Sequence, residues 1–163
     1  MIRIGVVSDT HIPRKSKILP QELLDGIKGV DLIIHAGDIN KDYVIYELEE
    51  IAPVEAVAGN TDDEYIWEML GRRKIITAGQ HKIGIIHGDG ASGSTIERVK
   101  EAFQGCDVSC VVFGHSHIPF YEKYEGVLYL NPGSPTDKRR QSNFSYGIIT
   151  IDSANITAQI IYF

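Results

Sequence analysis

The amino-acid sequence predicts a single α/β domain over residues 1–163, with two mixed β-sheets facing each other and helices on the outside. Short β-branched runs alternate with stretches of helical periodicity, which is the pattern of α/β domains. A length of 163 residues suits one domain with a sizeable core. The composition, 43% hydrophobic and 23% charged, is that of an ordinary globular protein.

Continuous apolar runs and alternating segments predict the strands, since both patterns fit a pleated, buried surface. The predicted strands are residues 2–7, 32–36, 54–58, 74–78, 82–87, 108–113, 120–124, 127–131, 146–151 and 156–161. The segment 79–81 predicts a hairpin turn between the fourth and fifth strands. The last four strands, separated by turn residues, predict an antiparallel meander.

Amphipathic segments between these strands predict four helices, at residues 20–28, 42–51, 63–70 and from 94 or 95 to 103. Pro20 suits the start of the first helix, because a missing N–H costs nothing there. Ser94 or Thr95 is expected to cap the fourth helix, with Glu97 completing a capping box.

Charge and cysteine content limit the function classes. A net charge of −6 argues against binding of extended nucleic acid, and no apolar run is long enough for a membrane span. Cys106 and Cys110 have the spacing of neither a redox pair nor a zinc site, so buried free thiols are expected. With no signal peptide before the first strand, we expect a cytoplasmic protein.

Residue types that bind metal ions recur where predicted strands end, which is where α/β folds place their sites. Any one of these segments could be an ordinary turn or helix cap. Together they predict a metal centre at the carboxyl ends of the strands. The candidate ligands are Asp9, His11, Asp38, Asn60, His87, His115 and His117.

Aspartate, asparagine and histidine without thiolates suit borderline-hard divalent ions. The expected cofactor is two divalent metal ions, with Mn²⁺ the first choice and Ni²⁺, Fe²⁺ or Zn²⁺ as alternatives. His35 and His81 are interpreted as non-ligands, His35 within a strand and His81 in a turn.

In this order the motifs resemble those of the calcineurin-like metallophosphoesterase superfamily. The match covers nearly the whole chain, and the segment 131–134 is similar to that of the small bacterial and archaeal phosphodiesterase branch. The motifs are Asp9-x-His11, Gly37-Asp38, Gly59-Asn60-x-Asp62, His87-Gly88 and Gly114-His115-x-His117.

The resemblance implies an αββα sandwich carrying two metal ions. It assigns Asp9, His11, Asp38 and His117 to one ion. It assigns Asp38, Asn60, His87 and His115 to the other, so that Asp38 bridges them. A water or hydroxide between the ions would be the nucleophile that attacks a phosphate ester.

Thr61 stands where phosphomonoesterases of this superfamily commonly carry a histidine that protonates the leaving group. Because a threonine hydroxyl is too weak an acid for that role, the expected substrate is a small phosphodiester. Asp38, Asn60, Asp62 and His115 are the candidate catalytic residues, with Asp62 orienting a ligand histidine or capping a helix.

Asn60 and Ser134 are candidate substrate contacts, although the segment around Ser134 could equally be a simple turn. A short basic run at 138–140 is more typical of a solvated surface than of a substrate site. A homodimer through the apolar segment 160–163 is a further expectation. The alternative functions are a non-catalytic scaffold on the same fold and a phosphomonoesterase.

Overall fold

Two five-stranded mixed sheets face each other in the computed structural model, which describes all 163 residues. The strands are β1 (Ile2–Val7), β2 (Leu32–His35), β3 (Val54–Ala56), β4 (Arg73–Ala78), β5 (His81–Ile86), β6 (Cys110–Val112), β7 (Phe120–Tyr124), β8 (Val127–Asn131), β9 (Ser145–Asp152) and β10 (Asn155–Tyr162). The helices are α1 (Gln21–Gly26), α2 (Tyr43–Glu49), α3 (Glu64–Leu70) and α4 (Thr95–Ala102).

The first sheet has the strand order β10-β9-β1-β2-β3, and the second has the order β4-β5-β6-β8-β7. In the first sheet β1, β2 and β3 run parallel, while β9 and β10 are antiparallel additions. In the second sheet β5, β6 and β8 run parallel, flanked by antiparallel β4 and β7. Each sheet therefore contains three parallel strands whose carboxyl ends share one edge.

Three apolar layers hold the sandwich together. Between the sheets, residues such as Ile4 and Ile34 of the first sheet pack in one cluster with Ile83 and Leu130 of the second. Helices α1 and α2 cover the outer face of the first sheet. Helix α4 covers the second sheet, with Val99 among its contacts. The predicted α/β fold with two facing mixed sheets and outer helices is confirmed.

The predicted meander at the end of the chain is wrong. Strands β7 and β8 form a hairpin in the second sheet, whereas β9 and β10 form a hairpin in the first. Strand β8 also pairs in parallel with β6, which a simple meander cannot provide. Residues 132–144 carry the chain from one sheet to the other.

Several element boundaries also differ from prediction. Strand β3 ends at Ala56, because the Ala58 amide donates instead to the Gly71 carbonyl (2.7 Å). His81 is not in the turn but begins β5, where it pairs with Ala78. The capping box of α4 is present as predicted, with Ser94 accepting from the Glu97 amide. No helix has the length and apolar character needed to cross a membrane.

Candidate metal centre

The loops that follow β1, β2, β5 and β6 meet at one edge of the sandwich. They bring together five of the predicted ligands, all buried: Asp9, His11, Asp38, His87 and His117. The aspartates and His11 come from the first sheet, and the other two histidines come from the second. Neither sheet alone could assemble this group.

The donor atoms of these residues lie within a few ångströms of one another. Oδ1 of Asp9 is 3.4 Å from Nε2 of His117, 3.7 Å from Nε2 of His87 and 3.8 Å from Nε2 of His11. Oδ2 of Asp38 is 3.1 Å from Nε2 of His87 and 3.5 Å from Nε2 of His11. Two compact groups able to hold an ion result, Asp9 with His11 and His117, and Asp9 with Asp38 and His87.

Hydrogen bonds turn one nitrogen of each key histidine outward and leave the other facing the centre. Nδ1 of His87 donates to the Ala36 carbonyl (2.8 Å), and Nδ1 of His117 donates to the Asp137 carbonyl (2.5 Å). Because a carbonyl can only accept, each Nδ1 carries a proton, and each Nε2 is the nitrogen that can bind an ion when the ring is neutral. Such contacts commonly orient metal-binding histidines.

The two carboxylates are held in the same way. Oδ2 of Asp9 accepts from the Ser8 hydroxyl (2.8 Å) and from the His115 amide (3.0 Å), which leaves Oδ1 toward the centre. Oδ1 of Asp38 accepts from the Thr61 amide (2.9 Å), so Oδ2 of Asp38 points toward the centre.

Several of the site residues adopt backbone conformations that side chains normally avoid. The φ angle is +57° at Asp9, +45° at His11, +56° at Asp38, +69° at His115 and +60° at His117. Each such left-handed residue costs about 1–2 kcal/mol relative to an ordinary conformation. Clustered strain of this kind is typical of functional sites.

Two glycines allow the loops to approach closely. A Cβ atom on Gly59 would lie 2.2 Å from Oδ1 of Asp38, and one on Gly114 would lie 1.9 Å from the Ser8 hydroxyl oxygen. Any larger residue at either position would displace a carboxylate from the centre.

Unpaired buried atoms show that the residues present fit a cation. Oδ1 of Asp9 and Nε2 of His87 are buried and make no well-aligned hydrogen bond, although Nε2 of His87 lies 3.1 Å from Oδ2 of Asp38. Since nearly all buried polar atoms are satisfied, two orphans facing one point indicate a missing ligand. Carboxylate oxygen and imidazole nitrogen are suited to divalent ions such as Mn²⁺ or Zn²⁺.

The electrostatics of the group also fit a cation. Burial raises the pKa of Asp9 to about 7, and it outweighs the charge of His87 and the hydrogen bonds from Ser8 and His115, which act in the opposite direction. Burial would also raise the pKa of Asp38, but the neighbouring His87 outweighs it and holds that pKa well below the ordinary value. Burial opposes charge on His87, yet the two carboxylates raise its pKa to about 9. A cation here would take over the role of that proton.

Asn60 and His115, the other two predicted ligands, lie outside the buried group. Asn60 is exposed, and His115 is half-buried with its ring edge-on to His87 at 5.3 Å between centroids. Neither belongs to the compact groups. Thr61 is exposed beside the centre, and its hydroxyl oxygen lies 3.4 Å from Nδ1 of His11.

The structure gives Asp62 a different role from the one predicted. Its two oxygens accept from the amides of Asn40 (2.7 Å) and Gly59 (2.8 Å), so it ties two loops together and orients no histidine. The cap of α3 is Asp63, which accepts from the Ile66 amide.

Ser134 makes the contacts of a turn residue, which was the alternative to a substrate contact. It is buried, and its hydroxyl donates to the Asp9 carbonyl (2.8 Å) while accepting from the Asp137 amide (2.8 Å). A hydroxyl so engaged supports the Asp9 loop and is not available to a substrate.

Three contributors to the site were missed in the sequence. Asp137 orients His117 through its main-chain carbonyl, which no side-chain motif reveals. Asn131 donates to the Gly114 carbonyl (2.9 Å) and so holds the histidine loop; its place before a Pro-Gly pair was the one available sign. Trp67 donates from Nε1 to the Gly59 carbonyl (2.9 Å).

Comparison with known proteins agrees with this geometry. The calcineurin-like phosphoesterase superfamily domain matches residues 2–154. A probable metallophosphoesterase of Methanothermobacter thermautotrophicus is 35% identical over 158 residues, covering 97% of this chain and 91% of the relative. A second probable metallophosphoesterase, from Methanocaldococcus jannaschii, is 39% identical over 138 residues, covering 83% of this chain and 69% of that relative.

Among solved structures, the Zn²⁺ complex of Entamoeba histolytica Vps29 superposes with a TM-score of 0.80 at 22% identity, covering 99% of both chains. At that identity the likeness shows the fold alone. The curated relatives support a phosphoesterase hydrolase.

Proposed function

The chain belongs to the calcineurin-like phosphoesterase superfamily, and from that premise we propose that it is a metal-dependent phosphodiesterase. The observation that carries the proposal is the pair of buried atoms without a well-aligned hydrogen bond, Oδ1 of Asp9 and Nε2 of His87, surrounded by further carboxylate and imidazole donors.

In this proposal Asp9, His11 and His117 hold one divalent ion, Asp38 is shared, and His87 holds the second. Asn60 and His115 complete the second ion's ligands from outside the buried group. When bound, the ions supply an activated water as nucleophile and offset the negative charge of the phosphate. Mn²⁺ remains the first candidate, and the donor set suits Ni²⁺, Fe²⁺ or Zn²⁺ as well.

The residues of the chain act mainly by positioning. The Ala36 and Asp137 carbonyls hold two histidines with Nε2 toward the centre, and the Ser8 hydroxyl with the His115 amide holds Asp9. Because these contacts fix the donor atoms, they limit the reorganisation required during the reaction.

Thr61 supports a diester rather than a monoester as substrate. Its hydroxyl accepts from the Asn40 side-chain amide (3.1 Å) and is too weak an acid to protonate a departing alkoxide. Phosphodiesters with stable leaving groups need no such proton.

The test uses protein stripped with a chelator and reloaded with Mn²⁺, assayed on bis(p-nitrophenyl) phosphate, p-nitrophenyl phosphate and glycerol 2-phosphate. We expect kcat/KM for the diester to exceed that for glycerol 2-phosphate by about tenfold or more, because the glycerol alkoxide requires a proton that Thr61 cannot give. Faster turnover of either monoester than of the diester would instead make the protein a phosphomonoesterase.

A non-catalytic binding role is the second candidate, favoured by the closeness of the fold to Vps29. Two bound Mn²⁺ ions with no turnover of any of these esters, or of the same esters with Ni²⁺ or Zn²⁺, would support that role and refute the enzyme.

A further inference from the structure

Positive charge is concentrated in two loops of this otherwise acidic chain. Residues 13–17 and 136–140 contain six of the sixteen Lys and Arg residues but only one of the 22 Asp and Glu residues, Asp137. We call these six residues the basic rim: Arg14, Lys15, Lys17, Lys138, Arg139 and Arg140. The net charge of −6 therefore hides a local excess of cations.

The basic rim borders the metal centre. The Lys15 amide donates to the carbonyl of His11 (2.8 Å), and the Asp137 carbonyl accepts from His117. Oδ2 of Asp137 lies 3.9 Å from Nζ of Lys15 and 3.9 Å from Nε of Arg139, so the two loops meet at this carboxylate.

Arg139 and Lys15 are only loosely held. Their side chains are 55% and 49% exposed, and their one charged neighbour is Asp137 at the long distances above. Lys138 differs, because its Nζ donates to the Ser142 carbonyl (3.2 Å) and lies over the Phe144 ring. Two cations at the edge of the site thus keep most of their hydrogen-bonding capacity.

Arg139 lies close to one of the candidate ligands. Oδ2 of Asp137 is 3.8 Å from Nδ1 of His117 and 3.9 Å from Nε of Arg139, so the histidine and the guanidinium contact the same carboxylate. The φ angle of Arg139 is +49°, a conformation that arginine rarely adopts. The guanidinium is therefore held beside the metal centre.

We propose that Arg139 and Lys15 bind a second anionic group on the substrate, so that the natural phosphodiester carries another phosphate beside the scissile one. This inference rests on the proposed function. Two divalent ions would carry four positive charges, whereas Asp9, Asp38 and Asp137 supply three negative ones, so the site stays positive beside Lys15 and Arg139. A substrate with more than one phosphate supplies the missing negative charge, and arginine suits it because the guanidinium binds phosphate through two N–H groups.

Two substrates that differ only in one phosphate test the proposal. Both are p-nitrophenyl esters of thymidine 5′-phosphate, one with a free 3′-hydroxyl and one with a 3′-phosphate. We expect the Mn²⁺-loaded protein to show a kcat/KM about tenfold higher for the 3′-phosphorylated ester at low salt, with the preference falling as salt rises. Arg139→Gln and Lys15→Gln should each reduce this preference, and Arg139→Lys should keep part of it. Lys82→Gln, at the opposite end of β5, removes the same charge and should keep all of it.

Binding provides a second measurement that needs no turnover. Calorimetric titration with thymidine 3′,5′-bisphosphate and with thymidine 5′-phosphate should show about tenfold tighter binding of the bisphosphate, lost in Arg139→Gln. Equal kcat/KM for the two esters with equal binding of the two nucleotides would overturn the inference and leave the diesterase intact. If the protein binds the bisphosphate more tightly in an Arg139-dependent way but hydrolyses neither ester, the second phosphate site is supported and the proposed diesterase activity is refuted.

Discussion

Left-handed backbone at Asp9, His11, Asp38, His115 and His117 explains how short loops can direct so many side chains at one point. In the extended conformation successive side chains diverge, whereas a single left-handed residue reverses the chain locally. Hydrogen bonds that hold each loop, such as the one from the Thr61 amide to Asp38, offset the conformational free energy of the left-handed residues. These hydrogen bonds therefore fix the direction in which the donor atoms of the centre point.

Replacing Thr61 tests the missing leaving-group acid directly. Because this hydroxyl lies 3.4 Å from His11 and the residue is exposed, an imidazole can be placed beside the centre without filling the core. We expect Thr61→His to raise kcat for glycerol 2-phosphate, whose alkoxide leaving group requires a proton, relative to kcat for p-nitrophenyl phosphate by about tenfold to a hundredfold. Thr61→Asn is the control, since it adds a polar group that cannot protonate. An unchanged ratio in Thr61→His would show that something other than this position limits monoester hydrolysis.

His35 makes the stability of the metal-free protein depend on pH. It is fully buried, its Nδ1 accepts from the Gly37 amide (3.2 Å), and burial lowers its pKa to about 3. The unfolded chain takes up a proton near pH 6.5 and the folded chain does not, so stability is full above pH 6.5 and declines between pH 6.5 and 3.

The slope contributed by His35 reaches about 1.4 kcal/mol per pH unit in this range. In urea unfolding with a chelator present, His35→Gln should show a shallower decline than the wild type between pH 6 and pH 4. Parallel curves for the two proteins would mean that His35 is not held neutral in the folded state.

At the residue scale the motifs predicted which side chains converge but not what holds them. Asp9, His11, Asp38, His87 and His117 were identifiable because ligand types at strand ends are visible in sequence. The supporting contacts come largely from main-chain carbonyls, and every residue has one. Only the folded loops determine which carbonyl reaches a histidine.

At the element scale, helix α3 connects two loops of the site. Trp67 donates to the Gly59 carbonyl, and the Arg72 guanidinium lies over the Trp67 ring (4.8 Å). Arg72 also pairs with Asp89 (2.7 Å), two residues beyond His87. The helix therefore links the loop after β3 to the loop after β5.

Removing the indole N–H should loosen that link. Trp67→Phe keeps most of the aromatic contact but loses the hydrogen bond to Gly59, which is worth about 1 kcal/mol. We expect weaker Mn²⁺ binding, by about threefold to tenfold, together with a loss of about 1 kcal/mol in the free energy of unfolding. Tyr65→Phe, on the same helix and exposed, is the control. Unaltered Mn²⁺ affinity in calorimetry of Trp67→Phe would show that α3 does not support the centre.

The error in the terminal strands also belongs to this scale. Local pattern identified β7, β8, β9 and β10 as strands, because alternation and turn residues are local properties. Their partners are not local, since β8 pairs with β6 in one sheet while β9 pairs with β1 in the other. Burial of Leu128 and Leu130 between the sheets, together with Ile149 from β9, decides the arrangement.

At the scale of the whole molecule, the centre joins the two sheets. Asp9, His11 and Asp38 extend from the first sheet, and His87 and His117 from the second, with no disulfide between the sheets. Separation of the sheets in unfolding must destroy the site. An ion bound there therefore stabilises the folded sandwich and not the unfolded chain.

Stability should accordingly increase with metal concentration. At a free Mn²⁺ concentration about a hundredfold above Kd, a single site adds about 2.7 kcal/mol to the free energy of unfolding. Asp38→Ala should abolish the increase, because Asp38 is shared between the two proposed ions and its loss also leaves His87 without its 3.1 Å neighbour. Asp107→Ala removes an equal charge at a fully exposed position far from the site and should retain the increase. Urea unfolding of the three proteins with Mn²⁺ and with chelator measures the difference. If Asp38→Ala still binds two Mn²⁺ ions by calorimetry and is stabilised as much as the wild type, the shared carboxylate is not Asp38. The centre must then be built around Asp9, because its Oδ1 faces the three histidines His11, His87 and His117.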